Sequence, residues 1–85
     1  MSENQHMVTI SGIVAPAIWD EDFNIVAISL AAFNEKEYLI EDDAKGEELF
    51  DQLRNLVKIT GIIKGEQGGD RIIEVKNYEV LNQFV

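Results

Sequence analysis

The chain has 85 residues, 46 % of them hydrophobic, and its sixteen acidic and seven basic residues give a formal net charge of -9 at pH 7. This length suffices for one domain but not for two hydrophobic cores. No apolar run reaches the roughly 18 residues that span a membrane. The first residues lack the features of a signal peptide, and the absence of cysteine excludes disulfide and thiolate chemistry. We therefore expect a single cytoplasmic domain.

The charge also bears on nucleic-acid binding. Affinity for a phosphate backbone comes largely from Lys and Arg side chains that release counterions, and an acidic protein field repels phosphate. The basic residues of this chain stand singly, at Lys36, Lys45, Arg54, Lys58, Lys64, Arg71 and Lys76. The composition therefore disfavours a nucleic-acid-binding function.

The first part of the chain predicts two strands. Residues 1–6 are polar and are expected to form a loose tail. The segment "MVTISGIV", residues 7–14, alternates with period two, as a strand does, and Pro16 is expected to end it because proline cannot donate to a β-ladder. We expect "AIWDED", residues 17–22, to be a loop. The β-branched run "FNIVAISLAAF", residues 23–33, is apolar on both faces and predicts a second, long strand.

The middle of the chain predicts a short third strand and a helix. The strand is "YLI", residues 38–40, and the period of the pattern then changes to that of a helix at about residues 44–54. The apolar face of this helix consists of Leu49, Phe50 and Leu53. Asp43 is a suitable N-cap because its side chain can accept from the first free amides of the helix. Asn55 is expected to take the left-handed position after the helix.

The last part predicts a β-hairpin. Two alternating runs, at about residues 56–64 and 70–81, flank the glycine-rich segment "KGEQGGD". A bulge near Lys76–Asn77 would allow Tyr78 and Val80, which follow it, to face the core. The side chains expected to face the core in this hairpin are Val57, Ile59, Gly61, Ile63, Ile73, Val75, Tyr78 and Val80, to which we add Phe50 of the helix.

The order of three strands, a helix and two strands resembles that of the OB-fold. "VTISGIV" is similar to the first strand of OB-fold domains, and "LFDQLRNLVKITGIIKGEQGGDRIIEVKNYEVL" is similar to their helix and last two strands. The chain also resembles small stand-alone bacterial OB-fold domains, which implies no particular activity. The resemblance implies an all-β, five-stranded antiparallel Greek-key barrel with one helix between strands 3 and 4. This single domain would occupy residues 7–81, between tails at 1–6 and 82–85.

Motifs for chemistry are weak. The segment "GEQGGD" lacks the lysine and the following helix of a phosphate-binding loop. Asp20, Asp22 and Asn24 have the spacing of an EF-hand, but Ile25 and Ala31 occupy positions that need glycine and a carboxylate. The one histidine, His6, lies in the tail, and the serines lie in strands without a nearby base. We therefore expect no enzyme activity, no cofactor and no metal site.

Trp19 is the most suggestive residue. In OB-folds the loops between strands 1 and 2 and between strands 4 and 5 flank the ligand face. An exposed Trp19 would anchor a partner or stack on a base; alternatively, Trp19 and Phe23 cap one end of the barrel. The residues expected to bind a partner are Trp19, Phe23, Phe33, Tyr38 and Arg71.

These observations favour a small acidic binding module without enzyme activity. We expect a protein-interaction domain, for which a basic partner would suit the charge. The alternative is a single-stranded nucleic-acid-binding OB-fold protein with an unusual charge. A third option, an oligosaccharide or metal-ion binder of the small periplasmic OB type, is disfavoured by the missing signal peptide.

Overall fold

A computed structural model describes residues 7–82 of the chain. The expected tail at 1–6, with His6, lies outside this range, as do residues 83–85 of the expected C-terminal tail, whereas Asn82 ends the last strand. The elements are β1 (Met7–Trp19), β2 (Ile25–Ala32), β3 (Glu37–Ile40), α1 (Ala44–Glu48), a 3-10 turn (Leu49–Gln52), β4 (Leu56–Gln67) and β5 (Asp70–Asn82). Within residues 7–82 no helix is long and apolar enough to cross a membrane.

The five strands form one sheet that closes into a ring, in the order β1-β2-β3-β5-β4. Four neighbouring pairs are antiparallel, but β3 runs parallel to β5, with Tyr38 opposite Arg71 and Ile40 opposite Ile73. The expectation of a wholly antiparallel sheet is therefore wrong. The physical reason is the odd number of strands. Strand directions can alternate all the way around a closed ring only if the number of strands is even, so five strands leave one parallel pair.

β1 is longer than its sequence pattern predicts. Pro16 does not end the strand, because it lies opposite Ile28 of β2 and the strand continues to Trp19. The register between β1 and β2 shifts directly after Pro16 and again before Trp19. Proline is tolerated within a sheet at such irregular positions, where a ladder hydrogen bond is already missing. The loop between the first two strands is therefore only residues 20–24.

The helical segment is shorter than expected and becomes a 3-10 turn at Leu49. Asp43 is the N-cap, as predicted, and its carboxylate accepts from the amide of Gly46 at 2.8 Å. Leu49 is fully buried and Phe50 and Leu53 pack against the core, so the predicted apolar face is confirmed. The left-handed residue after the turn is Arg54, at φ 71°, and not Asn55.

The core fills the inside of the ring. Its fully buried side chains come from every strand except β3 and from the 3-10 turn: Val14, Ile28, Leu30, Leu49, Val57, Ile59 and Ile73. The predicted bulge is present, because Thr60 lies opposite Asn77 and Gly61 lies opposite Val75, which leaves Lys76 without a counterpart. Tyr78 and Val80 pack against the core as expected.

Gly61 explains how β4 and β5 come so close at this bulge. A Cβ atom at Gly61 would collide with the backbone oxygen of Glu74 in β5. The glycine is therefore required by strand packing, and a role in ligand approach is not needed to account for it. One further residue of β4, Ile62, is buried although the alternation predicts an outward side chain; it lies outside the main core cluster, against which the next residue, Ile63, packs.

Candidate interaction site

The loop between β1 and β2, residues 20–24, is held in one shape by its own hydrogen bonds. Oδ1 of Asp20 accepts from the backbone amides of Asp22 and Asn24 at 2.8 and 2.9 Å, and Oδ2 accepts from the side-chain amide of Asn24 at 3.3 Å. The backbone amide of Asp20 donates to the carbonyl of Asn24, and the amide of Phe23 donates to the carbonyl of Asp20. Asp20 thus acts as the internal brace of a tight turn.

The hydrogen bond from the backbone amide of Asn24 lowers the pKa of Asp20, because it favours the charged carboxylate. These hydrogen bonds also bear on the EF-hand-like spacing of Asp20, Asp22 and Asn24. Both carboxylate oxygens of Asp20 accept hydrogen bonds from groups of the loop itself. Within residues 7–82 no group of three or more His, Asp or Glu side chains could hold a metal ion.

The turn presents two aromatic side chains to solvent. Trp19, the last residue of β1, is 52 % exposed, and Phe23 is 85 % exposed. Neither belongs to the core, so the alternative in which they cap the end of the ring is wrong. Phe23 also has φ 67°, in the left-handed region that residues with a Cβ atom avoid. Two unfavourable features at one residue, an exposed ring and a strained backbone, favour a functional role.

A cleft lies beside this loop, on the outer side of the sheet between β2 and the end of β3. We call it the β2–β3 cleft; its volume is about 470 Å³. It is lined by Ile18, Val26, Ala27, Leu39, Ile40, Glu41, Asp42 and Ile72. Ile18 and Val26 are exposed hydrophobic residues, and Ile18 directly precedes Trp19. The cleft has an acidic rim, formed by Glu41 and Asp42, and it adjoins the end of β1 that carries Trp19, although neither Trp19 nor Phe23 lines it.

The other residues expected to bind a partner lie elsewhere. Phe33 is exposed but follows the far end of β2, about 25 Å along the strand from its start. Tyr38 is only 5 % exposed and belongs to the core, which leaves little of its side chain for contact with a partner. Its side chain alternates to the inner side of β3, and its hydroxyl accepts from Asn34 at 3.1 Å.

Arg71 lies opposite Tyr38 at the start of β5 and is exposed. Together they line a second, polar cavity with residues of the β2–β3 turn and of the hairpin turn. Side chains alternate along a strand, so Arg71 and the next residue, Ile72, lie on opposite faces of the sheet. Arg71 is therefore not on the face where Ile72 lines the β2–β3 cleft. The structure therefore divides the five expected residues: Trp19 and Phe23 share the loop, Tyr38 and Arg71 share the polar cavity, and Phe33 lies apart.

Most basic side chains within residues 7–82 are engaged in ion pairs. Four lysines form ion pairs with glutamates: Lys45 with Glu48, Lys58 with Glu79, Lys64 with Glu41 and Glu74, and Lys76 with Glu74. Within residues 7–82 only Lys36, Arg54 and Arg71 make no ion pair. The acids of the loop and Asp42 of the cleft are likewise outside these ion pairs. The surface around Trp19 is therefore acidic, like the chain as a whole.

The sequence did not predict the β2–β3 cleft, because its walls come from four different strands. One signal was present: the second strand is apolar on both faces, and an apolar residue on the outer face needs either cover or a partner. Comparisons with protein-family models, with curated proteins and with solved structures found no match. The function has to be argued from the loop, the cleft and the charge.

Proposed function

We propose that the protein is a binding module of the OB-fold type. The order of the strands around the ring and the connection of β3 to β4 through α1 support this assignment. So does the loop between β1 and β2, which in OB-folds borders the ligand face. A fold of this type hosts many functions, so the function must come from the surface that this chain presents.

The binding function that this surface supports best is recognition of a protein. The observation that carries this proposal is the exposure of Trp19 and Phe23 on a turn that Asp20 holds rigid. Tryptophan is among the residues that dominate binding energy at protein interfaces, because a large ring leaves water at little entropic cost. A preformed turn adds to affinity because little order is lost when the partner binds.

A basic partner fits this surface. Glu21 and Asp22 lie between Trp19 and Phe23 in the chain, are exposed, and make no ion pair within residues 7–82. Lys or Arg side chains of a partner at these positions would increase the association rate, since opposite charges steer two proteins together. We propose an interaction without enzyme activity, and the cytoplasmic location remains a prediction.

The second candidate function is binding of single-stranded nucleic acid. Trp19 and Phe23 also suit the stacking of bases, which is the feature that favours it. Single-strand binders add a basic groove to such aromatic side chains, whereas four of the seven basic residues here are held by glutamates. Charge therefore ranks this candidate second.

Site-specific photo-crosslinking in cells of the source organism tests the two candidates. A benzophenone amino acid replaces Phe23 in one variant and Phe33 in a matched control, because both aromatic residues are exposed but lie at opposite ends of β2. We expect discrete adducts from position 23 that protease removes and nuclease does not, and much weaker adducts from position 33. The protein is identified from the adduct by mass spectrometry.

Two results would contradict the proposal. Adducts from position 23 that disappear on nuclease treatment would favour the nucleic-acid candidate. Equal adduct yields from positions 23 and 33 would show that the loop has no preference over another exposed aromatic position, and Trp19 and Phe23 would then lose their role in binding.

A further inference from the structure

We propose that the β2–β3 cleft binds an extended segment of the partner, with alternating apolar and basic side chains, which adds as a strand beside the start of β2. This inference rests on the proposed protein-binding function and deepens it. The loop aromatics alone would suit any apolar partner surface. The cleft selects a particular kind of chain segment, for three reasons that concern its backbone, its walls and its charge.

The backbone reason is an open sheet edge. β2 pairs with β1 from Ile25 to Ala32, with Val26 bulged out of the register, but its pairing with β3 covers only Ser29 to Ala31. After Leu39 the chain leaves β2 and stays with β5, where the amide of Glu41 donates to the carbonyl of Ile73 at 2.9 Å. The start of β2, Ile25–Ala27, therefore has a strand on one edge only within residues 7–82. Such an edge offers hydrogen bonds to an added peptide strand.

The walls of the cleft are apolar and of a size for side chains. Val26 and Ala27 form one side, and Leu39 and Ile72 form the other. A volume of about 470 Å³ lies within the range of small-ligand pockets, so it admits side chains of a peptide but not a folded domain. An added strand would place every second side chain between these walls, because side chains alternate along a strand.

Charge selects a basic segment over a second copy of this chain. Glu41 pairs with Lys64, at 3.5 Å, which also pairs with Glu74, whereas Asp42 makes no ion pair within residues 7–82. Glu21 and Asp22 of the adjoining loop line a separate surface pocket with Trp19 and add further negative charge. A second copy would bring another net charge of -9 to this rim, and like charges at an interface oppose association. A segment with Lys or Arg between its apolar residues matches both the walls and the rim.

Titration of the isotope-labelled protein with synthetic peptides tests the inference by NMR. The probe is a capped peptide of about seven residues, which is a usual strand length, with Val and Lys alternating. A second peptide has Glu in place of Lys, and a third is N-methylated at alternate residues, which blocks strand pairing. We expect the first peptide to shift the amide resonances of Val26, Ala27, Leu39 and Ile72 with a Kd on the order of 100 µM. The Glu peptide should not bind, and N-methylation should weaken binding about tenfold.

Two matched pairs of variants assign the walls and the charge. Val26→Lys should abolish binding of the Val-Lys peptide. Leu81→Lys, at the far end of β5, is the control and should not change binding. The two native side chains are similarly exposed, Val26 at 50 % and Leu81 at 44 %. Asp42→Asn should weaken binding about two- to fivefold, as expected for a surface ion pair. Asp51→Asn, at an exposed acid of the 3-10 turn, should leave it unchanged.

Several outcomes would overturn the inference. Shifts confined to residues 20–24 would remove the cleft from the binding surface and leave the proposed protein-binding function intact. Equal binding of the N-methylated peptide would exclude strand addition. Concentration-dependent dimers in sedimentation, lost in Val26→Lys but not in Leu81→Lys, would assign the cleft to a second copy of this chain. Cleft shifts with single-stranded oligonucleotides and not with the Val-Lys peptide would contradict both the inference and the protein-binding function.

Discussion

At the scale of single residues, Phe23 has a side chain in solvent and a backbone in the left-handed region. Such a residue costs stability, since a Cβ atom in this region crowds the carbonyl oxygen. We predict that Phe23→Gly leaves the free energy of unfolding unchanged or raises it by up to about 1 kcal/mol, because glycine relieves the strain but loses more chain entropy. Urea unfolding measures the change. A loss of more than about 1 kcal/mol would show that the Phe23 ring packs against the protein.

Trp19 is half exposed and lies outside the core. Its removal should therefore cost little burial, and we predict that Trp19→Ala lowers the free energy of unfolding by less than about 1.5 kcal/mol. Trp19 is also the one tryptophan of the chain, so its fluorescence reports directly on its surroundings. Emission of the native protein should be red-shifted and readily quenched by acrylamide. Blue emission protected from acrylamide, with a large loss of stability in the variant, would place Trp19 in the core.

Ile59 is fully buried in β4, in the middle of the core. Replacement by alanine removes apolar contacts and leaves a cavity, so Ile59→Ala should cost about 2–4 kcal/mol. The adjacent Lys58 is exposed, and its ammonium group pairs with Glu79 on the surface. Lys58→Ala should accordingly cost less than about 1 kcal/mol. Similar effects of the two substitutions in thermal or urea unfolding would contradict the register of β4.

At the scale of elements, the β1–β2 loop depends on an ionised Asp20. Because hydrogen bonding lowers the pKa of Asp20 in the folded protein, its contribution to stability is present above the unfolded pKa, near 3.8, and is lost as the pH falls through the folded pKa. We predict that acidification below about pH 4 destabilises the native protein more than it destabilises the Asp20→Asn variant. Urea unfolding at a series of pH values measures the difference.

Asp22→Asn is the control for this prediction, because it removes a neighbouring carboxylate that braces no part of the loop. Its stability should follow the pH dependence of the native protein. If Asp20→Asn also followed the native curve, the carboxylate of Asp20 would not be the brace, and the rigid presentation of Trp19 and Phe23 would lose its basis.

At the scale of the whole molecule, net charge and ion pairing decide how the protein meets nucleic acid. At about 150 mM salt we predict no binding of single-stranded DNA or RNA tighter than roughly 100 µM, because few lysines are free to release counterions. Fluorescence anisotropy with labelled homopolymers measures this affinity. Micromolar binding that weakens steeply with added salt would reverse the ranking of the two candidate functions.

The features that the sequence alone predicted correctly are those set by neighbours along the chain. Alternation at period two predicted the strands, an aspartate before a change of period predicted the cap at Asp43, and a break in phase predicted the bulge at Lys76. Each depends on residues within one turn or one strand. The exposure of Trp19 could only be given as one of two alternatives, since nearby residues do not determine what covers a side chain.

Tertiary structure alone decided the features that join distant segments. Closing five strands into a ring made β3 and β5 parallel, which no local pattern encodes. The same closure buried Tyr38 and left Phe33 exposed, although both flank one turn in the sequence. It also kept Pro16 inside β1, and it separated the start of β2 from the end of β3 to open the β2–β3 cleft. The physical reason is common to all of them: burial and pairing are set by contacts between residues far apart in the chain, and those contacts exist only once the ring has closed.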